Sequence, residues 1–248
     1  MNSRINWNRN AQLAVVLLCA LTLKLCYSTA SPNQLRWILA PTTTLVELIS
    51  GASFEFESHA GYISSDRSFI IGASCAGVNF LMIAFLVLSL RTLWRSRPRA
   101  LSWRFIPAVA LSAYLATVVA NTVRIAIALQ MHRHPPDISW LSPNQLHRLE
   151  GIFVYFGFLL LLFAVSEKRT LDRTSSWENR WGLFGQSLLP LAIYYAITLG
   201  IPLANGASRE GSGFWEHSLF VLLTPWLLIL PAAAFRFCIS TLRSNCRQ

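Results

Sequence analysis

Residues 105–130 read FIPAVALSAYLATVVANTVRIAIALQ, a stretch with one charged side chain, that of Arg124. A helix that rises 1.5 Å per residue needs about 20 apolar residues to cross the roughly 30 Å of hydrocarbon in a bilayer. This stretch is long enough, so it predicts a membrane-spanning helix. Five more apolar stretches predict further spans. Their bounds are 11–30, 69–90, 151–166, 183–204 and 218–235.

The composition of the whole chain agrees with this interpretation. Of the 248 residues, 54% are hydrophobic and 13% are charged, and the mean hydropathy is +0.45; soluble domains carry about 25% charged residues. The apolar stretches recur into the C-terminal part of the chain, so a single secretory signal does not account for them. We therefore expect an all-α, polytopic integral membrane helical bundle that forms a single transmembrane domain over residues 1–248.

A seventh stretch, residues 35–50, is apolar but interrupted by Arg36, Pro41 and Glu47. It predicts an interfacial or re-entrant helix, and the sequence leaves open whether this helix spans the membrane. The external loop that follows, residues 51–68, is rich in acidic and aromatic residues. Its role is open as well, since it either recognises a substrate or only caps a site.

The basic residues predict the orientation of the spans. Most of the 21 lysine and arginine residues lie in alternate loops and at the two ends of the chain, and the positive-inside rule makes these segments cytoplasmic. The formal net charge of +10 is then explained by orientation and by attraction to anionic headgroups, so nucleic acid is not an expected partner. The residues that set the orientation are Arg4, Arg9, Arg91, Arg95, Arg97, Arg99, Arg104, Lys168, Arg169, Arg173, Arg180, Arg236, Arg243 and Arg247.

The opposite, external segments carry acidic residues together with all five histidines. These residues are Glu55, Glu57, His59, Asp66, His132, His134, Asp137, His147, Glu150, Glu210, Glu216 and His217.

Three reactive side chains lie close to this external side. Counted along the predicted helices, Cys75 is ~9 Å below the outer surface on the span that begins near Phe69, and Arg124 is ~9 Å below it on the span that ends near Gln130. His147 lies at the outer mouth of the fourth span. A thiol, a guanidinium and an imidazole are therefore expected at one membrane face.

Each of the three has a functional and a structural interpretation. A guanidinium in hydrocarbon is costly unless it faces a wet or interior cavity, so Arg124 predicts a functional site, with Asn121 as its hydrogen-bond partner; alternatively it extends outward to the headgroups. The small residues 72–77 leave room for a substrate beside Cys75, and a nearby cation favours the reactive thiolate; alternatively Cys75 is a small buried side chain. His147, oriented by Glu150, suits proton transfer between a thiol and a leaving amine; alternatively it is only solvated.

Three sequence blocks surround these residues: Ala73-Ser74-Cys75-Ala76-Gly77-Val78-Asn79, Asn121-Thr122-Val123-Arg124-Ile125 and His147-Arg148-Leu149-Glu150-Gly151. They resemble the Cys, Arg and His blocks of the exosortase/archaeosortase family, and the third block is most similar to the exosortase K branch. The resemblance extends over about Gly72 to Phe158. Members of this family are polytopic inner-membrane cysteine transpeptidases, held to process proteins with C-terminal sorting signals of the PEP-CTERM kind.

The resemblance implies a role for each residue. Cys75 is the expected nucleophile that forms a thioester, Arg124 stabilises the oxyanion or positions the substrate, and His147 carries the proton, while Asn121 and Glu150 support them. It also suggests a catalytic core at 69–166 with flanking helices at 11–50 and 183–235. No nucleotide, flavin or haem motif is present, so no cofactor or metal is expected. The expected partners are membrane-anchored protein substrates, and the expected location is the bacterial inner membrane, with both termini cytoplasmic and the active site at the periplasmic face.

Two other functions stay open at this point. The external histidines also suit a membrane metalloenzyme or metal transporter that binds zinc or copper, although no His-Glu-x-x-His motif is present and Pro135-Pro136 predicts that His132 and His134 lie in a stiff loop. A non-enzymatic transporter or assembly factor would use Arg124 as a counter-ion, although the predicted spans carry few polar residues near their midplanes.

Overall fold

The computed structural model describes residues 2–95, 101–136, 142–168, 178–206 and 212–245. Within these ranges the protein is predominantly helical, and six helices are long and apolar enough to cross a membrane. This confirms the predicted all-α, polytopic membrane fold with six spans. They are Trp7–Ser28, Ala73–Trp94, Phe105–Arg133, Gln145–Ser166, Ser187–Ala204 and Phe214–Pro231. Several residues used above lie outside the described ranges, namely Arg97, Arg99, Asp137, Arg169, Arg173, Glu210 and Arg247.

The chain divides into two compact units, residues 1–142 and 143–248. The first contains four helices, α1 (Asn2–Ser28), α2 (Arg36–Ser50), α3 (Val78–Arg95) and α4 (Phe105–Arg133). The second contains α5 (Pro143–Lys168), α6 (Glu178–Tyr195), a π-helical turn (Ala196–Gly200), α7 (Ile201–Ala204) and α8 (Ser212–Asn245). The single-domain organisation over 1–248 stays a prediction.

Helix α3 is the centre of the first unit and packs against both α1 and α4. An evenly apolar helix without a polar face is typical of a buried position. Consistent with this, residues on all sides of α3 are buried, namely Val78, Phe80, Leu81, Met82, Ile83, Ala84, Phe85, Val87 and Leu88.

Helix α2 confirms the helix expected at residues 35–50, and it is separate from the six spans. It packs on α4 through Ile38, Leu39 and Val46, which are fully buried, whereas Leu48 and Ile49 are exposed. Its 15 residues correspond to about 22 Å, which is short of the hydrocarbon thickness. Gly51 ends the helix in the left-handed conformation, with φ 65°, which favours glycine.

The segment 51–71, part of which was expected as an external loop, contains a small antiparallel sheet. Its strands are β1 (Phe54–Glu57), β2 (Gly61–Ser64) and β3 (Ile70–Ile71), in the order β1-β2-β3. Glycine is required at position 61, the first residue of β2, because a Cβ atom there would lie 2.5 Å from the carbonyl oxygen of Ile71. Strands this short, next to an apolar helix, give little periodicity, so the sheet was not apparent from the sequence.

The second spanning helix does not begin near Phe69. Residues 70–71 are strand β3, Ala73–Cys75 form a 3-10 turn, and α3 begins only at Val78. Gly77 has φ 70° and separates the turn from the helix. The depth of Cys75 counted along a continuous helix was therefore wrong, because apolar strand residues and small turn residues look like helix in an uninterrupted apolar run. Helix α4 also continues past Gln130 to Arg133, so Arg124 lies about 14 Å before its end.

The second unit is formed by α5, α6 and α8, which pack against one another. Its core includes Phe156, Leu159 and Val221, all buried, and the ring of Phe156 meets that of Tyr194 edge-on at 5.4 Å. Helix α5 begins at Pro143, a residue suited to the first turn of a helix. It starts before the predicted span at 151, so His147 and Glu150 are already helical.

Candidate functional site

Cys75 ends the 3-10 turn that leads into α3. Its amide N–H donates to the carbonyl of Gly72 at 2.9 Å, and the N–H of Ala76 donates to the carbonyl of Ala73 at 3.1 Å. Ala76 is fully buried, whereas Cys75 is half-buried. The cysteine is therefore carried by a hydrogen-bonded turn and is itself only partly buried.

Asn121 on α4 holds this turn from the side. Its Nδ2 donates to the backbone carbonyl of Cys75 at 2.6 Å, and the residue is 0% exposed. The sequence predicted Asn121 as a support for Arg124. The structure adds a direct link between Asn121 and the cysteine, across 46 residues of chain.

Arg124 follows Asn121 by one turn of the same helix. The residue is half-buried, and its Nε atom is enclosed by protein. The phenol of Tyr27, near the end of α1, lies within electrostatic range of both Cys75 and Arg124. Helices α1 and α4 and the turn ahead of α3 thus contribute a phenol, a guanidinium and a thiol to the same part of the first unit.

Two residues of α1, Tyr27 and Lys24, make hydrogen bonds around the cysteine turn. The sequence alone did not indicate either contact. The Tyr27 hydroxyl donates to the carbonyl of Ala73 at 3.3 Å, in the same turn as Cys75. Lys24 Nζ donates to Asn79 Oδ1 at 3.3 Å and lies 5.9 Å from the centre of the Tyr27 ring. The available signal was their spacing, because residues three apart on a helix share one face.

A cavity of about 380 Å³ opens beside Tyr27 in the first unit. Its walls are mostly apolar, and it shares the tyrosine with the cysteine turn. The lining residues are Leu23, Cys26, Tyr27, Thr29, Ala30, Gln34, Leu35, Trp37 and Val78.

His147 and Glu150 form a pair in the second unit. Nδ1 of His147 lies 3.7 Å from Oε2 of Glu150, one turn along α5, and the two side chains are 48% and 6% exposed. This separation is longer than a hydrogen bond, so the carboxylate lies beside one ring nitrogen as an ion-pair partner for a protonated imidazole. The structure therefore joins Cys75 to Asn121, one helical turn from Arg124, within the first unit, and His147 to Glu150 within the second. The convergence of these two groups stays a prediction.

The other histidines predicted to be external include His59, His132 and His134. His59 Nε2 lies 3.3 Å from Glu57 Oε2, and the ring of His132 lies 5.8 Å from that of Phe69. His132 belongs to the last turn of α4, and His134 follows directly, so the pair is not wholly in a loop. Within either unit, the described His, Cys, Asp and Glu side chains form no group of three that could hold a metal ion.

The arrangement in the first unit suits nucleophilic chemistry. A half-buried cysteine lies on a turn whose carbonyl groups at Ala73 and Cys75 accept hydrogen bonds from Tyr27 and Asn121. Arg124, one helical turn from Asn121, is a permanent cation that can offset negative charge developing during attack. Comparison of the chain with known protein families, with curated proteins and with solved structures gave no match.

Proposed function

We propose that this protein is a membrane-embedded cysteine peptidase or transpeptidase, similar to exosortases. In this proposal it cleaves C-terminal sorting signals of exported, membrane-anchored proteins at the periplasmic face of the bacterial inner membrane. The observation that supports it most is the 2.6 Å hydrogen bond from Asn121 to the Cys75 carbonyl, because it fixes the thiol turn one helical turn from Arg124.

The first half-reaction forms a thioester. Cys75 Sγ attacks the scissile carbonyl carbon as His147 takes the thiol proton, and the carbonyl oxygen becomes an oxyanion. Arg124 offsets this charge in a partly water-excluded site, where a fixed cation is worth more than in water. When the oxyanion collapses, the C–N bond breaks and His147 returns the proton to the departing amine.

The second half-reaction releases the product. An amine or water attacks the thioester carbon, and its proton passes to His147. The sulfur leaves as thiolate, which regains the proton. Either acceptor satisfies the same residues, so the proposal covers both transfer and hydrolysis.

The position of Cys75 ahead of α3 supports an external membrane-surface reaction. A substrate anchored by its own C-terminal helix presents a peptide outside that helix, where the main chain is not closed by helical hydrogen bonds. Cys75 likewise precedes the regular part of its span, on the 3-10 turn between strand β3 and the start of α3. In this proposal both reacting groups lie at the same level of the membrane.

The test uses an exported reporter that ends in a C-terminal sorting signal of the PEP-CTERM kind, produced together with this protein. Cys75→Ala should abolish processing at unchanged protein level, whereas Cys19→Ser, a matched change at an exposed cysteine of α1, should not. In wild type, a reporter adduct that neutral hydroxylamine releases should be detectable, since hydroxylamine cleaves thioesters. Processing at the wild-type rate by Cys75→Ala would overturn the proposal.

A further inference from the structure

Strand β3 is at the edge of the external sheet. It pairs on one side with β2, through Ile63 opposite Ile70 and Tyr62 opposite Ile71, and it is last in the strand order. The Phe69 carbonyl accepts a 2.9 Å hydrogen bond from Ser64 N–H, so the polar groups of Phe69 face β2. Because these groups alternate along a strand, the N–H and C=O of Ile70 face away from the sheet.

Within the first unit, these outward main-chain groups are not used by the sheet. None of the hydrogen bonds described there uses the N–H or C=O of Ile70, and this residue is 51% exposed. Gly72 continues the edge in an extended conformation, with φ −92° and ψ −172°. Its carbonyl accepts from the Cys75 N–H, while its N–H lies on the same side as the Ile70 groups. An open strand edge of this kind is a template for a further strand.

The edge runs directly into the cysteine turn. Ile71 and Gly72, which are extended, and one 3-10 turn connect Ile70 to Cys75. Measured along the chain, this connection is about 13 Å long. That distance corresponds to about four residues of an extended peptide at 3.3 Å each. A peptide paired with Ile70 therefore reaches the sulfur within a few residues of the paired position.

We propose that this β3 edge, the outward main-chain groups of Ile70 and Gly72, binds the extended segment of the substrate that precedes its C-terminal helix, as an added strand. The identity of the occupant rests on the proposed peptidase function. Only a peptide has alternating N–H and C=O groups to match the edge, and a substrate of Cys75 must be extended where it is cleaved. Main-chain pairing gives affinity without demanding one side-chain sequence.

Cross-linking tests this docking without requiring catalysis. Ile70→Cys is introduced into Cys75→Ala with the remaining cysteines changed to serine, at Cys19, Cys26, Cys238 and Cys246. Single cysteines are placed at successive positions ahead of the reporter's apolar helix, and disulfides are formed by mild oxidation in membranes. Strand pairing predicts cross-links at alternate reporter positions, because successive side chains of a strand point to opposite faces.

The matched control is Glu55→Cys, an exposed residue on β1 at the opposite edge of the sheet, which should give no alternating pattern. Uniform or absent cross-links at Ile70→Cys would overturn the edge proposal, and so would a disulfide-linked pair of this chain formed in place of the reporter adduct. If Cys75→Ala had meanwhile abolished processing, the proposed peptidase function would stand without this docking mode.

A second variant changes the edge alone. Ile70→Pro removes an N–H that faces away from β2, whereas Ile70→Val keeps it. Loss of one main-chain hydrogen bond should lower the kcat/KM of reporter processing roughly three- to tenfold, through KM. The alkylation rate of Cys75 should be unchanged, which shows that the turn is intact. Equal kcat/KM for Ile70→Pro and Ile70→Val would contradict the proposal.

Discussion

Asn121 on α4 and Cys75 ahead of α3 are joined by a 2.6 Å hydrogen bond from the side-chain amide to the backbone carbonyl. The amide is fully buried, so this contact is shielded from water. It links the turn that carries the thiol to the helix that carries Arg124. Asn121 therefore contributes directly to the position of the cysteine turn relative to the helix that carries Arg124.

Replacement of this amide should disturb the turn. Asn121→Leu keeps the approximate size of the side chain but leaves the Cys75 carbonyl without this donor, which costs about 1–3 kcal/mol when the group is buried. We expect lower thermal stability in detergent and at least tenfold slower reporter processing, since about 1.4 kcal/mol is a tenfold effect. Thr117→Val is the control, because that hydroxyl bonds only to Ala113 of its own helix. Equal effects of the two variants would argue against a specific role of Asn121.

Removal of the cation should slow the chemistry itself. Arg124→Gln should lower processing by about 10²-fold or more, which is typical when a group that stabilises an oxyanion is lost. Arg124→Lys keeps the charge but loses the planar fork of the guanidinium, so it should retain only part of the activity. Arg133→Gln is the control on the same helix, since Arg133 contacts the Ser50 carbonyl at 3.5 Å. Full activity of Arg124→Lys would instead indicate an arginine that extends to the headgroups.

The Tyr27 hydroxyl should restrain the cysteine turn. Tyr27→Phe removes the hydrogen bond to Ala73 and keeps the ring, and a net loss of about 1 kcal/mol corresponds to a roughly fivefold effect. We expect processing to slow by that factor and the alkylation rate of Cys75 to change in parallel. Tyr114→Phe, which removes a 2.8 Å bond to the Trp37 carbonyl, should leave both rates unchanged. A change in processing without any change in alkylation would exclude an effect through the turn.

The imidazole and carboxylate of α5 should act as a pair. His147→Ala should reduce processing by about 10²-fold or more, the usual contribution of a general acid or base. Glu150→Gln should cost less, because it removes orientation but not the proton carrier. Gln145→Ala serves as the control. Gln145 lies near the start of the same helix, and its replacement removes a 2.8 Å hydrogen bond to Glu216. Unchanged processing by His147→Ala would remove this histidine from the mechanism and leave Cys75 unaffected.

The Asp66 turn should respond to acid. The hydroxyls of Ser64 and Ser68 and the N–H of Ser68 donate to this carboxylate and lower the pKa of Asp66 to about 2. Because the folded pKa is below the ordinary value of about 3.9, this contribution to stability is complete above pH 4 and is lost as the pH falls through about 2. The protection of the Ser68 amide against hydrogen exchange, measured by NMR, should fall over this interval. Asp66→Asn should be less protected and insensitive to pH there; a pH-independent wild type would contradict the assignment.

Much of the fold followed from apolar stretch length. The six spans and the separate helix at 35–50 were predicted because hydrocarbon thickness sets a minimum number of apolar residues, which the sequence displays directly. The predicted start of the second spanning helix was wrong, because Phe69, Ile70 and Ile71 are as apolar as the helix that follows and the sequence shows no boundary there. Likewise, the sheet of residues 54–71 depends on pairing between segments, which no local pattern specifies.

The candidate site was also predicted only in part from the sequence. By itself the sequence predicted that Cys75, Arg124 and His147 lie near the ends of hydrophobic segments and on one side of the membrane, because charge asymmetry and stretch length are local properties of the chain; the side of the membrane stays a prediction. Only the tertiary structure decided that Cys75 lies on a turn, that Asn121 bonds to this turn, and that Tyr27 joins it from α1. These contacts join residues 46 positions apart, and their geometry depends on how α1, α3 and α4 pack, a property of the assembled helices and not of any one segment.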